Sequence, residues 1–471
     1  MAMQFWDIEI WSLLITLTIL FLGMMVANSL RRIIGPLRRS LIPSPVLGGF
    51  IVLAFDFFVK TVFKVDMFNN ITVEALTYHG LGLGFVAITL RDKDPTDNVK
   101  KERSTIMNYG IVVVATYLLQ GFLGGAATIA LNETIGNVFP ASGLLLPMGY
   151  GQGPGQAYNW GNIYQNEWGF ENGVSFGLTV AAMGFVSASV GGIWYLRNMR
   201  KKGLIKESEY DEFEETHIKV ANKNEIPMSD SIDKLTVQVS LVFIAYIMAY
   251  LMMLGIDKIV ETGIMGNFGF NTVRPLVWGF NFLFATFAAS ILKGILAFLT
   301  KKKVIKRVYT NDFFQTRISG LMFDLMVVAS ISAISLSAFL VPSFVISLSV
   351  LVVIGTVSTY IYLDIVCKSV LSEYRHEAFL GLYGMLCGTN STGIILLREI
   401  DSSFKTPVAG YMVYQVMYAS LFGVPMILLM GFAPQSYKNT IITVIALVVL
   451  FVLMNVLLFR KDIFGKNKKK K

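Results

Sequence analysis

The chain is poor in the residues that staple small secreted folds or hold metals. Its 471 residues include two cysteines, Cys367 and Cys387, too few for a disulfide framework or a thiolate zinc site. The three histidines, His79, His217 and His376, stand far apart, and no metal-ligand spacing joins them. Charge is scarce as well. Asp, Glu, Lys and Arg make up 15%, against about 25% in soluble proteins. These shortages exclude a disulfide scaffold and a metal-cluster protein. The lack of long charged or Pro-rich tracts excludes a disordered chain.

Apolar residues fill the gap. AVILMFWYC account for 54%, or roughly 59% when Gly is counted in and Tyr left out, against about 45–50% in soluble domains. A chain this size could not hide so much apolar surface from water. Lipid is its solvent for half its length.

A bilayer core takes about 20 apolar residues per helix. That ruler places eleven spans near 8–29, 45–63, 73–90, 107–131, 171–197, 234–254, 274–298, 315–339, 342–366, 409–432 and 438–460. The first lacks a basic segment before it, so it reads as a retained helix rather than a signal peptide. Lys/Arg clusters set the orientation. They follow spans 1 (Arg31, Arg32, Arg38, Arg39), 3 (Lys100, Lys101, Arg103), 5 (Arg197, Arg200, Lys201, Lys202), 7 (Lys301–Lys303, Lys306, Arg307), 9 (Lys368, Arg375) and 11 (Arg460, Lys461, Lys468–Lys471). Each cluster follows an odd-numbered span. The N-terminus is therefore expected outside and the C-terminus in the cytoplasm of a plasma-membrane protein. Trp6, Trp11 and Trp194 fit aromatic belts at the two faces.

The polar stretch 198–233 reads as a cytoplasmic linker. It separates an N-terminal repeat, 1–197, from a C-terminal repeat, 234–433, and 438–471 adds an extra span with a basic tail. Five spans per half invert the second half relative to the first, the arrangement common in secondary transporters. The expected fold is all-α and polytopic. Each half carries an apolar but Gly/Pro-broken segment between its fourth and fifth spans. One covers about 137–160 and includes Gly151-Gln-Gly-Pro-Gly155-Gln-Ala157; the other covers about 376–400 and includes Gly388-Thr-Asn-Ser-Thr392-Gly. Both read as re-entrant hairpins, since irregular backbone at membrane depth is tolerated only where it lines a cavity or is buried in protein. Paired interruptions at matching places are the best sequence pointer to a transporter's binding site.

The tips suit a small carboxylate and a hard monovalent cation. A helix leaving each tip offers free N–H groups to an anion. Candidate substrate residues are Gly151, Gln152, Gly153, Gly155, Gln156 and Asn159 in the first tip, and Gly388, Thr389, Asn390, Ser391 and Thr392 in the second. Arg398, on the return limb, is a further candidate as a bidentate carboxylate partner. Candidate sodium ligands are Gly153, Gly155, Asn159, Thr389, Ser391 and Thr392. The competing reading of these glycines is a helix-packing patch. Asp56 and Asp324, both read as intramembrane, are the alternative carriers of a coupling ion or proton. No nucleophile–base pair stands out, so no enzyme is expected and no cofactor beyond the coupling ion. A channel is the alternative from another class.

At these residues the chain resembles the sodium/glutamate symporter family. The two Gly-rich tips fall where that family has its re-entrant motifs. Ile42-Pro-Ser-Pro-Val46-Leu-Gly-Gly49 is similar to its Pro-x-Pro-Val-x-Gly-Gly element. The resemblance implies sodium-coupled uptake of glutamate by an elevator-type movement. It further implies inverted five-span repeats, a mobile core holding both hairpins, and a scaffold that forms a homodimer. The tips depart from the Gly-Gly-His-Gly-Thr-like and Gly-Ala-Thr-Pro-Thr-like sequences of better-studied members, with Gln152 and Pro154 in the first and Asn390 and Ser391 in the second. The departure leaves another amino acid or a dicarboxylate, and proton coupling, as alternatives.

Overall fold

A computed structural model of the protein describes residues 8–91, 102–204, 234–305, 309–402 and 404–460. Trp6, Lys100, Lys101, Lys306, Arg307, His217, the linker beyond residue 204 and the basic tail beyond Arg460 lie outside the described residues.

Every described element is helical. The N-terminal part holds α1 (Ile8–Ile33), α2 (Ser44–Phe63), α3 (Asn70–Leu90), α4 (Arg103–Ile135), α5 (Leu145–Gly151), α6 (Pro154–Trp168) and α7 (Gly173–Lys201). Then come α8 (Lys234–Glu261), α9 (Asn281–Lys301), α10 (Asp312–Ser332), α11 (Pro342–Ser369), α12 (Arg375–Cys387), α13 (Asn390–Arg398), α14 (Val408–Tyr414), α15 (Val416–Phe432) and α16 (Tyr437–Leu458). Eleven of these are long and apolar enough to cross a bilayer: α1–α4, α7–α11, α15 and α16. They coincide in order and number with the spans read from hydropathy.

Local chemistry explains the boundaries. Pro43 and Pro45 fix the start of α2, and Lys64, at φ 58°, ends it. The third span, short on hydropathy, is a regular helix because Asn69 caps it, accepting from Ile71 N–H at 2.9 Å. Ser436 caps α16 through Asn439 N–H at 3.1 Å. Three expected spans overran. The seventh expected span starts at 274, but Arg274–Gly279 ends a separate short helical stretch, Phe280 interrupts it, and α9 starts at Asn281. The eighth was read to 339, but α10 stops at Ser332 and a 3₁₀ turn covers Leu336–Leu340. The tenth was read from 409, but the chain breaks between α14 and α15 at Gln415.

Contacts divide the chain into two compact units, and both draw on both sequence halves. One holds α3, α8, α9 and α10 with the first part of α1. Its core is small-residue packing: Val86, Ala87 and Leu90 of α3 meet Ala245 and Ala249 of α8 and Ala285, Ala288 and Ala289 of α9. Tyr78 donates to the Trp278 carbonyl at 2.7 Å and Asn281 to the Tyr78 carbonyl at 2.9 Å, tying α3 to α9. Lys293 of α9 donates to the Arg91 carbonyl. The other unit holds α2, α4–α7 and α11–α16 with the rest of α1. Both Gly-broken segments fall in it.

Candidate functional site

The first broken segment is α5 and α6, interrupted at Gln152-Gly153; the second is α12 and α13, interrupted at Gly388-Thr389. Gly153 has φ 83° and ψ −175°, a conformation essentially confined to glycine. Pro154 follows at the first helical position, where its missing N–H costs nothing. Hence the sequence Gly-Pro stops one helix and starts another within two residues.

The two tips meet. A Cβ added at Gly153 would lie 3.1 Å from Thr389 Cγ2 and 3.7 Å from the Gly388 carbonyl oxygen. Gly153 and Thr389 are the N-caps of α6 and α13, and neither helix start is satisfied by a capping side chain. The first intrahelical bonds are Ala157 N–H to Gly153 O at 3.1 Å and Gly393 N–H to Thr389 O at 3.0 Å. Two uncapped helix N-termini thus come together from opposite ends of the sequence. Each carries roughly half a positive charge. The segments 137–160 and 388–397 contain no charged side chain, so the positive potential that these segments themselves supply comes from the helix ends.

Polar groups left unbonded sit beside them. Gln156, on the first turn of α6, is 2% exposed, and neither its amide oxygen nor its nitrogen has a hydrogen-bond partner among the described residues. Asn390, the first residue of α13, has a buried amide oxygen with no partner among the described residues. Thr392 is fully buried, its hydroxyl 3.3 Å from that of Thr389. Gly151, Gly153, Gly155, Asn159 and Gly388 are buried, Gln152 and Thr389 half-buried, and Ser391 exposed.

Residues not singled out from the sequence hold the tips in place. Tyr117 of α4 donates to the Gly151 carbonyl at 3.0 Å. One turn on, Gln120 donates to the Leu386 carbonyl at 3.0 Å and to Thr359 Oγ1 of α11 at 2.8 Å. One helix therefore grips both tips. Its signal in the sequence was a lone Gln in the apolar run 110–123. Small residues do the rest. Gly184 of α7 lies directly against the Cys387 carbonyl, and Gly355 of α11 makes room for Leu146 and Tyr150 of α5. Tyr150 joins these walls, its hydroxyl 2.9 Å from Ser187 and 3.1 Å from Thr356. Within the second segment a Cβ added at Gly384 would lie 2.7 Å from Gly393 Cα, and Gly393 lies against the Gly381 carbonyl. These glycines pack helices; Gly153 forms the tip.

Three candidates stand on other turns or elements than the tips. Arg398 is exposed at the far end of the nine-residue α13, about 12 Å along the axis from Asn390. Its guanidinium stacks over Phe404 at 5.1 Å. The neighbouring acids have other partners: Glu399 faces Arg200 at 3.7 Å. Burial works against ionisation of Asp401, but bonds from the Thr406 hydroxyl and N–H and from Lys405 N–H outweigh it. They hold the carboxyl below its usual range. Asp56, on the second half of α2 and seven residues before its end, accepts from Met67 N–H at 3.4 Å in the segment that follows the helix. Asp324 is exposed on α10, in the other unit. Among the described residues no group of three or more His, Cys, Asp or Glu stands close enough to hold a metal ion.

A family model described as sodium/glutamate symporter matches residues 7–310, more than half of the chain. The match includes the first tip; the second lies beyond it. No curated protein and no solved structure matches the chain.

Proposed function

The chain belongs to the sodium/glutamate symporter family, and from that premise we propose that it imports glutamate or a closely related small carboxylate together with sodium. It is a multi-pass membrane transporter and not an enzyme. The observation that carries the substrate reading is the meeting of two uncapped helix N-termini beside the unbonded amides of Gln156 and Asn390. Glutamate brings two carboxylates, and the tips offer two positive helix ends on segments that carry no charged side chain of their own. Each end contributes on the order of 0.3–2 kcal/mol to anion binding, too little for specificity. Side-chain bonds to a charged ligand, about 1.5–3 kcal/mol each, supply the rest. Sodium completes the charge balance, with the hydroxyls of Thr389 and Thr392, Ser391, and backbone carbonyls at Gly153 and Gly155 and the Asn159 side chain as its oxygen donors.

The architecture we propose has two inverted five-helix repeats, with α5/α6 and α12/α13 as re-entrant hairpins and α16 outside the symmetry. The location of both hairpins in one compact unit supports an elevator-type movement of that unit, in a homodimer, with the N-terminus outside. Single cysteines at Ala221 and Asn467, in a background without Cys367 and Cys387, are expected to resist an impermeant thiol reagent in whole cells. Labelling of either from outside would overturn the inverted topology.

Coupling is tested in vesicles. Uptake of labelled glutamate is expected to require an inward sodium gradient and to survive collapse of the proton gradient. Uptake that follows the pH gradient alone would transfer coupling to Asp56 or Asp324. Uptake of another amino acid or dicarboxylate in preference to glutamate would keep the mechanism and change the substrate. Labelled substrate that fails to show counterflow would favour a channel.

A further inference from the structure

A second anion-binding feature lies far along the chain from the tips, where the α1–α2 connection meets α7. A cleft of about 460 Å³ is lined by Gly35, Pro36, Arg39 and Ser40 of the connection and by Ile193 and Arg197 of α7. The Lys/Arg alternation assigns this end of α7 to the cytoplasmic face. A Cβ at Gly35 would meet nothing within 4 Å, so the cleft is open on that side.

Its two arginines have no acidic partner among the described residues, although acids of the same unit are engaged elsewhere. Asp364 pairs with Lys368 and Arg375, Glu399 with Arg200, and Glu102 accepts from Tyr411. Arg31, one turn before the connection, is spent on Ser44 Oγ at 3.0 Å. Two guanidiniums facing one cleft with no counter-charge repel each other, and an oxyanion relieves that repulsion. The guanidinium fork matches phosphate oxygens bidentately. Beside the cleft, Ile33, Val190 and Trp194 are exposed at 80%, 62% and 55%. In a bilayer they present an apolar wall next to the two charges. A ligand with a phosphate and acyl chains satisfies both parts at once.

We propose that this cleft binds a phosphate group, carried by an anionic phospholipid of the cytoplasmic leaflet. Basic pockets between membrane helices on that side are suited to such headgroups. The site is separate from the transport tips, and its failure would leave the symport reading untouched.

The test is native mass spectrometry of the full-length protein in detergent with phosphatidylglycerol, phosphatidylcholine or inorganic phosphate. Phosphatidylglycerol is expected to stay bound through conditions that strip phosphatidylcholine. Arg39→Gln with Arg197→Gln is expected to weaken retention by about ten- to hundredfold, as loss of charge-assisted bonds requires. Arg32→Gln with Arg38→Gln removes the same charge outside the cleft and serves as the control. Equal loss in both pairs would mean a general surface charge and overturn the site. Inorganic phosphate that displaces the lipid one for one supports the phosphate site; phosphate that binds while the lipid does not would overturn the lipid source. Lipid that binds only after Glu207, Glu209, Glu212, Glu214 and Glu215 are changed to Gln would assign the cleft to the chain's own acidic segment and overturn the proposal.

Discussion

Gly153→Val is expected to abolish uptake, by at least about a hundredfold, in protein that still inserts in the membrane. Two effects combine at this residue. Its φ of 83° with ψ −175° costs any L side chain about 1–3 kcal/mol, more for a branched one. Its Cβ position also lies 3.1 Å from Thr389 Cγ2, so the two extra methyl groups of Val would drive the tips apart. Gly169 is the contrast: it sits in the left-handed region at φ 70°, ψ 26°, which L residues adopt at modest cost, and has nothing within 4 Å of its Cβ position. Gly169→Ala is expected to transport normally with slightly lower stability. Uptake per mole of protein in vesicles, with Tm measured alongside, distinguishes a loss at the tip from the general cost of a glycine substitution. If Gly153→Val transports at the wild-type rate, the meeting of the tips has no part in the function.

Hydropathy made the eleven spans legible because each is a physical necessity: a helix is what satisfies a backbone in lipid. It failed where one apolar run covers two elements. Ala333–Leu340 is as apolar as α10 itself, yet the helix stops at Ser332, and only backbone geometry reveals it. The tips were legible for the opposite reason. Gly-Gln-Gly-Pro-Gly is incompatible with a continuous helix, so the break shows in composition. Its depth and partner do not. That Gly153 touches Thr389, more than 230 positions away, depends on packing that no periodicity encodes. The support was less visible still. Tyr117 and Gln120 look like ordinary occupants of a long helix until their bonds to Gly151 and Leu386 are seen. Charged residues are the hardest to assign from sequence. Arg398 and Asp56 draw notice because charge in a span is costly; Arg398 closes its short helix, whereas Asp56 is the thirteenth of the twenty residues of α2.

Gln156→Met separates a binding role from a structural one, because the two call for changes of opposite sign in stability. The Gln156 amide is 2% exposed and makes no hydrogen bond. Leaving such a group unsatisfied costs roughly 1–3 kcal/mol. Methionine has nearly the same length and no strong polar group, so it removes that cost while filling the space. The substrate-free variant is therefore expected to be more stable than the wild type, with Tm raised by about 1–3 °C. Uptake is expected to fall by about ten- to a hundredfold through a raised KM, since a bond to a charged ligand is lost. Gln120 supplies the contrast. It donates to Leu386 and Thr359, so Gln120→Met breaks bonds that position the second tip and is expected to lower stability and uptake together. Asn390→Ala should resemble the Gln156 variant in uptake, for its amide oxygen is also without a partner. A Gln156→Met protein that transports with unchanged KM, or that melts well below the wild type, would mean that Gln156 contributes to packing and that the carboxylate is read elsewhere. The opposite result, stability gained as function is lost, is the signature of a polar group kept dry and unpaired for its ligand.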